Sequence, residues 1–255
     1  MKAIILAAGR GSRLKRHTHE RPKALVELAG RPLLAWQLAA LASAGAGDLA
    51  VVGGYRRDLI EAFAAQSPIP FTTLDNPRWA ETNMLASLLC AAPFAGGEEC
   101  LISYSDIVYP ARHVRALLGE ARPLALTYDA DWERLWRLRN GGDPLADAET
   151  FREEGGLLRE IGARPRSLAE VRGQYMGLLK LTAEGWKIWL GRCAALGPAV
   201  DKTDMTGFLR LLLADGVDIG AAAVRGAWCE VDSDKDLEIY EAALAAGTFS
   251  HDWRN

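Results

Sequence analysis

Ala3-Ile4-Ile5-Leu6-Ala7-Ala8-Gly9-Arg10-Gly11-Ser12-Arg13-Leu14 is the most informative segment of the chain, together with Arg21-Pro22-Lys23-Ala24-Leu25 shortly after it. An apolar run that passes directly into small residues and glycines is typical of a buried parallel strand ending in a loop where a ligand approaches the backbone. Between Arg10 and Lys23 there are six basic residues and a single acid, Glu20. Backbone amides and cations in one loop predict a binding site for a polyanion such as a phosphate chain.

The spacing in this loop differs from that of the two common nucleotide-binding loops. It lacks the Gly-Lys-Ser/Thr ending of a P-loop, and Leu14 follows where a dinucleotide fingerprint needs its third glycine. For an isolated Gly-x-Gly, an ordinary surface turn with solvated charges is the alternative. The longer pattern around it decides between the two readings.

Size and composition favour one globular domain. The chain has 255 residues, of which 49% are hydrophobic and 25% charged, and its net charge of −3 makes nucleic-acid binding unexpected. No apolar run reaches the roughly 18 residues that span a bilayer, and Met1-Lys2 leads straight into the first strand, so we expect a cytoplasmic protein without membrane contact. The four cysteines are scattered without a C-x-x-C pair, which predicts small core residues: Cys90, Cys100, Cys193 and Cys229.

Apolar runs alternate with segments of helical periodicity along the chain. This predicts one α/β domain over residues 1–255, with a Rossmann-like, mixed but mostly parallel sheet flanked by helices. Ligands bind beyond the carboxyl ends of parallel strands, so the basic loop and Asp106 are expected at the same edge of the sheet. Besides the first strand, strands are predicted near 48–55, 71–74, 100–104, 124–128, 157–161, 175–181 and 219–224, and helices near 33–41, 59–65, 84–89, 182–195, 205–215 and 235–246.

Two separated motifs carry a resemblance to a known family. The amino-terminal pattern L-A-A-G-x-G-S-R-L with P-K-A-L at residues 22–25, and the later W-C-E-V-D at residues 228–232, resemble the signature of the MobA-like and sugar-phosphate nucleotidyltransferases. This family includes the phosphocholine and phosphonate cytidylyltransferases. The resemblance implies transfer of CMP from CTP, or a nucleotidyl group from another NTP, to a small phosphate or phosphonate acceptor with release of pyrophosphate.

The resemblance also assigns roles to individual residues. Asp106 and Asp232 would hold Mg²⁺ with help from Glu230, since magnesium is bound by one or two carboxylates with phosphate oxygens and water. Lys23 and Arg13 would contact the phosphates and act in catalysis. For Asp232 and Asn83, helix capping is an equally plain alternative. The residues expected to bind the nucleotide are Leu6, Ala7, Ala8, Gly9, Gly11, Ser12, Asn83, Ser87 and Ser105.

The acceptor is expected in the region of residues 128–210, where carboxylates and tryptophans lie close together in the sequence. Aromatic faces beside carboxylates hold ammonium groups, which favours 2-aminoethylphosphonate or phosphocholine and assigns Asp129, Asp131, Trp136 and Asp204 to the acceptor. The segment D-P-L-A-D-A-E at residues 143–149 resembles the same branch. Alternatively, Trp132 and Trp136 form the apolar stripe of a short helix.

Three other functions stay open at the level of sequence. A sugar-1-phosphate nucleotidylyltransferase would need neutral hydrogen-bonding side chains, and Asn and Gln are sparse in the middle of the chain. An acceptor with a second anionic group, such as phosphonoformate, would use cations including Arg134, Arg137 and Arg139. A catalytically silent nucleotide-binding module would have lost Lys23 or one of the two aspartates. A homodimer is also compatible with the sequence.

Overall fold

The computed structural model describes residues 1–254, in which there are thirteen strands and eight α-helices. The strands are β1 (Lys2–Leu6), β2 (Glu27–Leu28), β3 (Arg31–Pro32), β4 (Asp48–Gly53), β5 (Thr72–Asp75), β6 (Cys100–Tyr104), β7 (Ile107–Val108), β8 (Leu124–Asp129), β9 (Phe151–Glu154), β10 (Leu157–Ile161), β11 (Gln174–Leu181), β12 (Gly220–Val224) and β13 (Cys229–Glu230). The helices are α1 (Leu33–Ser43), α2 (Arg57–Ala64), α3 (Met84–Ala95), α4 (Ala111–Leu118), α5 (Trp132–Arg139), α6 (Ala183–Leu196), α7 (Met205–Ala214) and α8 (Asp234–Ala245).

Nine strands form the central sheet in the order β5-β4-β1-β6-β11-β8-β12-β10-β9. β1 is parallel to β4 and β6, β4 to β5, and β8 to β12. β11 is antiparallel to β6 and β8, and β10 is antiparallel to β9 and β12. Only β10 and β11 therefore run against the other strands, which confirms the predicted mixed, mostly parallel α/β sheet.

Both faces of this sheet are covered by helices. Alternate residues of a strand point to opposite faces, and in β1 Ile4 packs with the layer formed by α3, α6 and α7, whereas Ile5 packs with α1, α4, α5 and α8. Both isoleucines are fully buried. Burial on both faces explains why β1 is a continuous apolar run that ends abruptly in the glycine loop.

Most predicted elements lie within a few residues of their observed positions. α4, β9 and the two-residue strands β2, β3, β7 and β13 were not predicted, and α5 was predicted only as the alternative for Trp132 and Trp136. α4 buries only His113, Val114 and Leu117, and arginines interrupt this narrow stripe, so its helical pattern is weak in the sequence. Cys90 also departs from the prediction: it is exposed on the outer side of α3, whereas the other three cysteines are buried. Among residues 1–254, no helix combines the length and the apolar character needed to cross a bilayer.

Candidate active site

Two short strands outside the main sheet bring distant parts of the chain together at its carboxyl edge. β7 follows Asp106 directly, and it pairs antiparallel with β13, so that Ile107 lies opposite Glu230. The amide of Val231 donates to the carbonyl oxygen of Asp106 at 2.8 Å. This pairing places Asp106 beside Asp232, far from it in the sequence.

Lys23 lies between these two carboxylates. Its Nζ atom is 2.8 Å from Oδ2 of Asp106 and 2.6 Å from Oδ1 of Asp232. The side chain reaches them across Gly11, whose φ is +73°, and a β-carbon at Gly11 would lie 2.8 Å from Cβ of Lys23. Glycine is therefore needed here both for its backbone conformation and for the close approach of the lysine.

The charges in this cluster stabilise one another. Burial alone would lower the pKa of Lys23, but the carboxylates of Asp106 and Asp232 outweigh it and raise the pKa above its usual 10.5. Burial likewise opposes ionisation of Asp232, but Lys23 and then Arg13 lower its pKa to about 2. The guanidinium of Arg13 is exposed, with Nη2 3.0 Å from Oδ1 of Asp232. Lys23 is thus protonated and Asp232 ionised at neutral pH.

A buried arginine holds the carboxylates from behind. Arg139, on α5, places Nη1 2.6 Å from Oε1 of Glu230, Nε 3.1 Å from Oδ1 of Asp236 and Nη2 3.6 Å from Oδ2 of Asp232. Asp236 in turn accepts hydrogen bonds from the amides of Asp232 and Ser233. Burial and the neighbouring carboxylates raise the pKa of Glu230 to about 8, although Arg139 opposes this shift.

The amino terminus of α8 corrects one capping prediction. Ser233, not Asp232, is its N-cap, because the Ser233 hydroxyl accepts from the amide of Asp236 while the Asp236 carboxylate accepts from that of Ser233. This capping box satisfies the free amides at the helix start. It leaves the carboxylate of Asp232 directed at Lys23.

A first cleft, of about 220 Å³, lies beyond the carboxyl end of β1 and includes Lys23 and Asp106 in its wall. Two residues predicted to bind the nucleotide are absent from its lining: Ala7 is buried and donates its amide to Val52, and Ser12 is exposed. Asn83 is the residue before α3, as the capping alternative predicted, but its side chain makes no capping hydrogen bond. The predicted residues that do line the cleft are Leu6, Ala8, Gly9, Gly11, Asn83, Ser87 and Ser105.

A second cleft, of about 230 Å³, lies on the other side of the charge cluster and includes Arg13, Asp232 and Glu230 in its wall. Its far side carries the carboxylates of Asp147 and Glu149, with rings supplied by Tyr104, Trp136 and Tyr175. Arg13, which the sequence analysis assigned to the phosphates of the nucleotide, therefore lines this cleft and not the first one. Desolvation on the cleft wall, followed by the charges of Asp204 and Asp147, raises the pKa of Glu149.

Glu149 is fixed by Gln174, a buried residue at the start of β11. Nε2 of Gln174 donates to the carbonyl oxygen of Glu149 at 2.6 Å, and Oε1 accepts from the amide of Glu149 at 3.3 Å. Asp147, Glu149 and Gln174 were not predicted as site residues. The D-P-L-A-D-A-E pattern was the available signal for the two acids, whereas nothing in the sequence pointed to Gln174.

Of the four predicted acceptor residues, the structure brings only Trp136 to the second cleft. Asp129 is fully buried and its carboxylate accepts from Gly226, Trp228 and His251 at 2.8, 2.9 and 3.0 Å. Asp131 pairs with the exposed Arg225 at 2.7 Å, and Asp204 caps α7 by accepting from the amide of Gly207. These three carboxylates are satisfied by the protein itself. Trp132 and Trp136 are both buried on α5, as the helix-stripe alternative predicted.

The carboxylates at the junction fit a divalent cation that arrives with a triphosphate. Oδ1 of Asp106 is buried and has no hydrogen-bond partner within residues 1–254, and Asp106 and Asp232 already share a cation in Lys23. No group of three or more His, Cys, Asp or Glu side chains in the same range is arranged to hold a metal. Two carboxylates suffice for Mg²⁺, which keeps water and substrate phosphates as its other ligands. Glu230 is bound by Arg139 instead.

Comparison with known proteins gives a consistent result. The family described as "MobA-like NTP transferase domain" matches residues 3–173. The CTP:phosphoglutamine cytidylyltransferase of Campylobacter jejuni is 33% identical over 255 residues, which cover 94% of this chain and 98% of that protein. The CMP-5'-(3-aminopropyl)phosphonate synthase of Streptomyces rubellomurinus is 34% identical over 252 residues. The matched region covers 92% of this chain but only 37% of that longer protein.

Among solved structures, the inositol-1-phosphate CTP transferase from T. maritima superposes with a TM-score of 0.75 at 19% identity, covering 95% of this chain and 96% of that one. At this identity the likeness concerns the fold. It supports the sheet order and the two helical layers described above.

Proposed function

The chain belongs to the MobA-like NTP transferase family and is a nucleotidyltransferase, and we propose that it transfers CMP from CTP to a small acceptor that carries a phosphate or phosphonate and an ammonium group, with release of pyrophosphate. The observation that carries this proposal is the pair of clefts that meet at Lys23, Asp106 and Asp232. One cleft begins at the glycine loop and the other is walled by carboxylates and aromatic rings. Two substrates bound in these clefts would have their phosphorus groups at the shared cluster.

In the proposed reaction, an oxygen of the acceptor's phosphate or phosphonate attacks the α-phosphorus of CTP, and pyrophosphate leaves on the opposite side. No protein nucleophile is needed, so the protein contributes positioning and charge stabilisation. Lys23, at the junction, would contact the α-phosphate and stabilise the charge that develops there. Arg13, beside Asp232 in the second cleft, would hold the acceptor's anionic group. Mg²⁺, held by Asp106 and Asp232, would neutralise the triphosphate.

The wall of the second cleft supports an ammonium-bearing acceptor. Asp147 and Glu149 offer negative charge, and Trp136, Tyr104 and Tyr175 offer ring faces and edges, which together suit a cation. This chemistry fits 2-aminoethylphosphonate and phosphocholine. It also fits the acceptors named for the two relatives, aminopropylphosphonate and phosphoglutamine. Glu149 takes the role that the sequence analysis gave to Asp129, Asp131 and Asp204.

The same wall argues against an acceptor such as phosphonoformate, which has a second anionic group and no ammonium group. Arg134 and Arg137 line a separate surface cleft, and Arg139 is engaged by the carboxylates of Glu230 and Asp236. Within the described residues, Arg13 is thus the one cation in the lining of the second cleft. A phosphonocarboxylate would place its carboxylate against Asp147 and Glu149.

A pyrophosphate-release assay tests the proposal directly. CTP, UTP, GTP and ATP are crossed with 2-aminoethylphosphonate, 3-aminopropylphosphonate, phosphocholine, phosphorylated glutamine, phosphonoformate and glucose 1-phosphate in the presence of Mg²⁺. We expect turnover with CTP and at least one ammonium-bearing acceptor. Turnover with glucose 1-phosphate alone would contradict the acceptor assignment, and no turnover with any pair would contradict the activity.

The substitution Glu149→Gln tests how the acceptor is recognised. Losing one charge contact of about 1.4 kcal/mol raises KM roughly tenfold, so we expect that increase for the acceptor and an unchanged KM for CTP. Glu99→Gln is the matched control, because Glu99 is exposed just before β6, at the opposite edge of the sheet. An unchanged acceptor KM in Glu149→Gln would refute the assignment.

A further inference from the structure

The first cleft has a polar wall whose hydrogen-bonding directions are fixed by the protein. Asn83 and Ser87, one helical turn apart at the start of α3, both line it. Each also forms a hydrogen bond to a group behind the cleft. These rear contacts determine whether each side chain donates or accepts on the side that faces a ligand.

The direction at Ser87 is set by Asn76, which is 2% exposed. Oδ1 of Asn76 accepts from the backbone amide of Arg78 at 3.0 Å. Because that amide can only donate, Nδ2 must lie on the other side, where it donates to Oγ of Ser87 at 3.0 Å. The hydroxyl of Ser87 makes no other hydrogen bond within residues 1–254, so its own hydrogen is available as a donor.

The direction at Asn83 is set by the backbone of residues 201 and 202. Nδ2 of Asn83 donates to the carbonyl oxygen of Lys202 at 2.8 Å, and the amide of Asn83 donates to that of Asp201 at 2.8 Å. A carbonyl can only accept, so the side-chain nitrogen must face Lys202 and Oδ1 must face away from it. Asn83 therefore offers an acceptor.

An acceptor beside a donor distinguishes the two pyrimidine bases. Cytosine has an amino group that donates to an acceptor such as Oδ1 of Asn83, next to a ring nitrogen and a carbonyl that accept from a hydroxyl such as that of Ser87. Uracil has a carbonyl in place of the amino group and an N–H in place of the accepting nitrogen. Uracil would set its carbonyl against Oδ1 of Asn83 and its ring N–H against the hydroxyl hydrogen of Ser87, which leaves polar groups unpaired and binding weak.

We propose that Asn76, which touches no substrate, is a positioning residue that makes the first cleft select cytosine over uracil by holding Ser87 as a donor. This inference rests on the proposed function for the identity of the nucleotide. It assigns the selectivity to a hydrogen-bond direction and not to the size of the cleft.

The test is equilibrium binding of CTP and of UTP, each with Mg²⁺ and without acceptor, measured by calorimetry. We expect wild-type protein to bind CTP at least tenfold more tightly than UTP. The substitution Asn76→Asp preserves the shape of the side chain and the oxygen that accepts from the Arg78 amide. It replaces Nδ2, which donates to Ser87, by an oxygen that accepts. The Ser87 hydroxyl would then donate its hydrogen to residue 76 and no longer to the nucleotide. The added negative charge weakens both nucleotides alike, so the informative quantity is the ratio of the two dissociation constants.

We expect this ratio to fall several-fold in Asn76→Asp and in Ser87→Ala, which serves if Asn76→Asp does not fold, while the share of the preference that depends on Oδ1 of Asn83 remains. Asn140→Asp, the same change outside both clefts, should keep the wild-type ratio. A retained ratio in Asn76→Asp or in Ser87→Ala, or equal binding of CTP and UTP by wild-type protein, would overturn the inference. The binding assay contains no acceptor and so does not depend on CMP transfer. If CTP is preferred in this assay but the pyrophosphate-release assay shows no CMP transfer, the proposed function is refuted and the role of Asn76 stands.

Discussion

Replacing Lys23 by methionine should make the stability of the protein depend on magnesium. In the native protein, Nζ of Lys23 lies 2.8 and 2.6 Å from carboxylate oxygens of Asp106 and Asp232, and the three side chains are 10%, 20% and 10% exposed. Removing one partner of such a buried ion pair costs about 3–5 kcal/mol, because the remaining charge is left without compensation. Here Asp106 is left without a cation, whereas Asp232 keeps its contacts to Arg13 and Arg139.

This cost translates into a measurable change in melting temperature. For domains of this size, about 1 kcal/mol corresponds to a shift of roughly 2–4 °C, so Tm should fall by about 6–20 °C in Lys23→Met. Added Mg²⁺, without nucleotide, should recover much of the loss, because the cation takes the place of the ammonium. The wild-type Tm should change little with Mg²⁺ alone.

Thermal unfolding followed by circular dichroism, with and without Mg²⁺, measures both effects. Lys187→Met is the matched control, because Lys187 is exposed on α6, and its Tm should stay near the wild-type value in both conditions. A wild-type Tm for Lys23→Met in the absence of metal would refute the electrostatic argument. A lowered Tm that Mg²⁺ does not raise would show that Asp106 and Asp232 do not hold the ion.

Two further substitutions separate chemistry from structure. Asp106→Asn should reduce pyrophosphate release by orders of magnitude in saturating CTP and Mg²⁺, since the carboxylate is proposed to hold the metal; near-normal turnover would contradict that role. Asp129→Asn should destabilise the protein by about 3 kcal/mol at pH 7 and leave the acceptor KM unchanged, because Asp129 binds Gly226, Trp228 and His251. Burial opposes ionisation of Asp129, but these hydrogen bonds, led by that of His251, lower its pKa below the usual 3.8. The difference in the free energy of unfolding between wild type and Asp129→Asn, measured by urea denaturation, should therefore be fully present above pH 3.8 and shrink as the pH falls below it. A difference that persists unchanged in acid would contradict this account.

The fold was predictable because its strands are recognisable in the sequence as apolar runs. Runs such as 3–6 and 49–52 are apolar without interruption, as is typical of strands buried on both faces. The charge cluster was predicted from the strand-end position of Asp106 and from the family resemblance of the motifs that contain Lys23 and Asp232. Taken alone, each aspartate is more often a helix cap or a turn residue than a metal ligand. α4 was not predicted because its buried face consists of only three residues.

The acceptor cleft was harder to predict because its wall depends on contacts between distant segments. The loop that carries Glu149 is held against β11 by Gln174, whose side chain bonds both the amide and the carbonyl oxygen of Glu149. The acids chosen from the sequence were conspicuous for local reasons instead. Asp131 and Asp204 directly precede helices, where a carboxylate commonly caps the free amides. Asp204 does cap α7, whereas Asp131 makes no capping hydrogen bond and pairs with Arg225. The burial of Asp129 depends on His251, near the end of the chain, and could not be read locally.

The pairing of β7 with β13 has a consequence for protein synthesis. Residues 1–108 contain the glycine loop, Lys23 and Asp106, so a nascent chain carries most of the first cleft well before residue 232 leaves the ribosome. Closing the long loop between β7 and β13 is entropically costly, and contacts of this range form late in folding. We therefore expect an unfinished or carboxyl-terminally truncated chain, which lacks Asp232, not to cleave CTP. The partly synthesised enzyme would then not consume CTP before its acceptor cleft has formed.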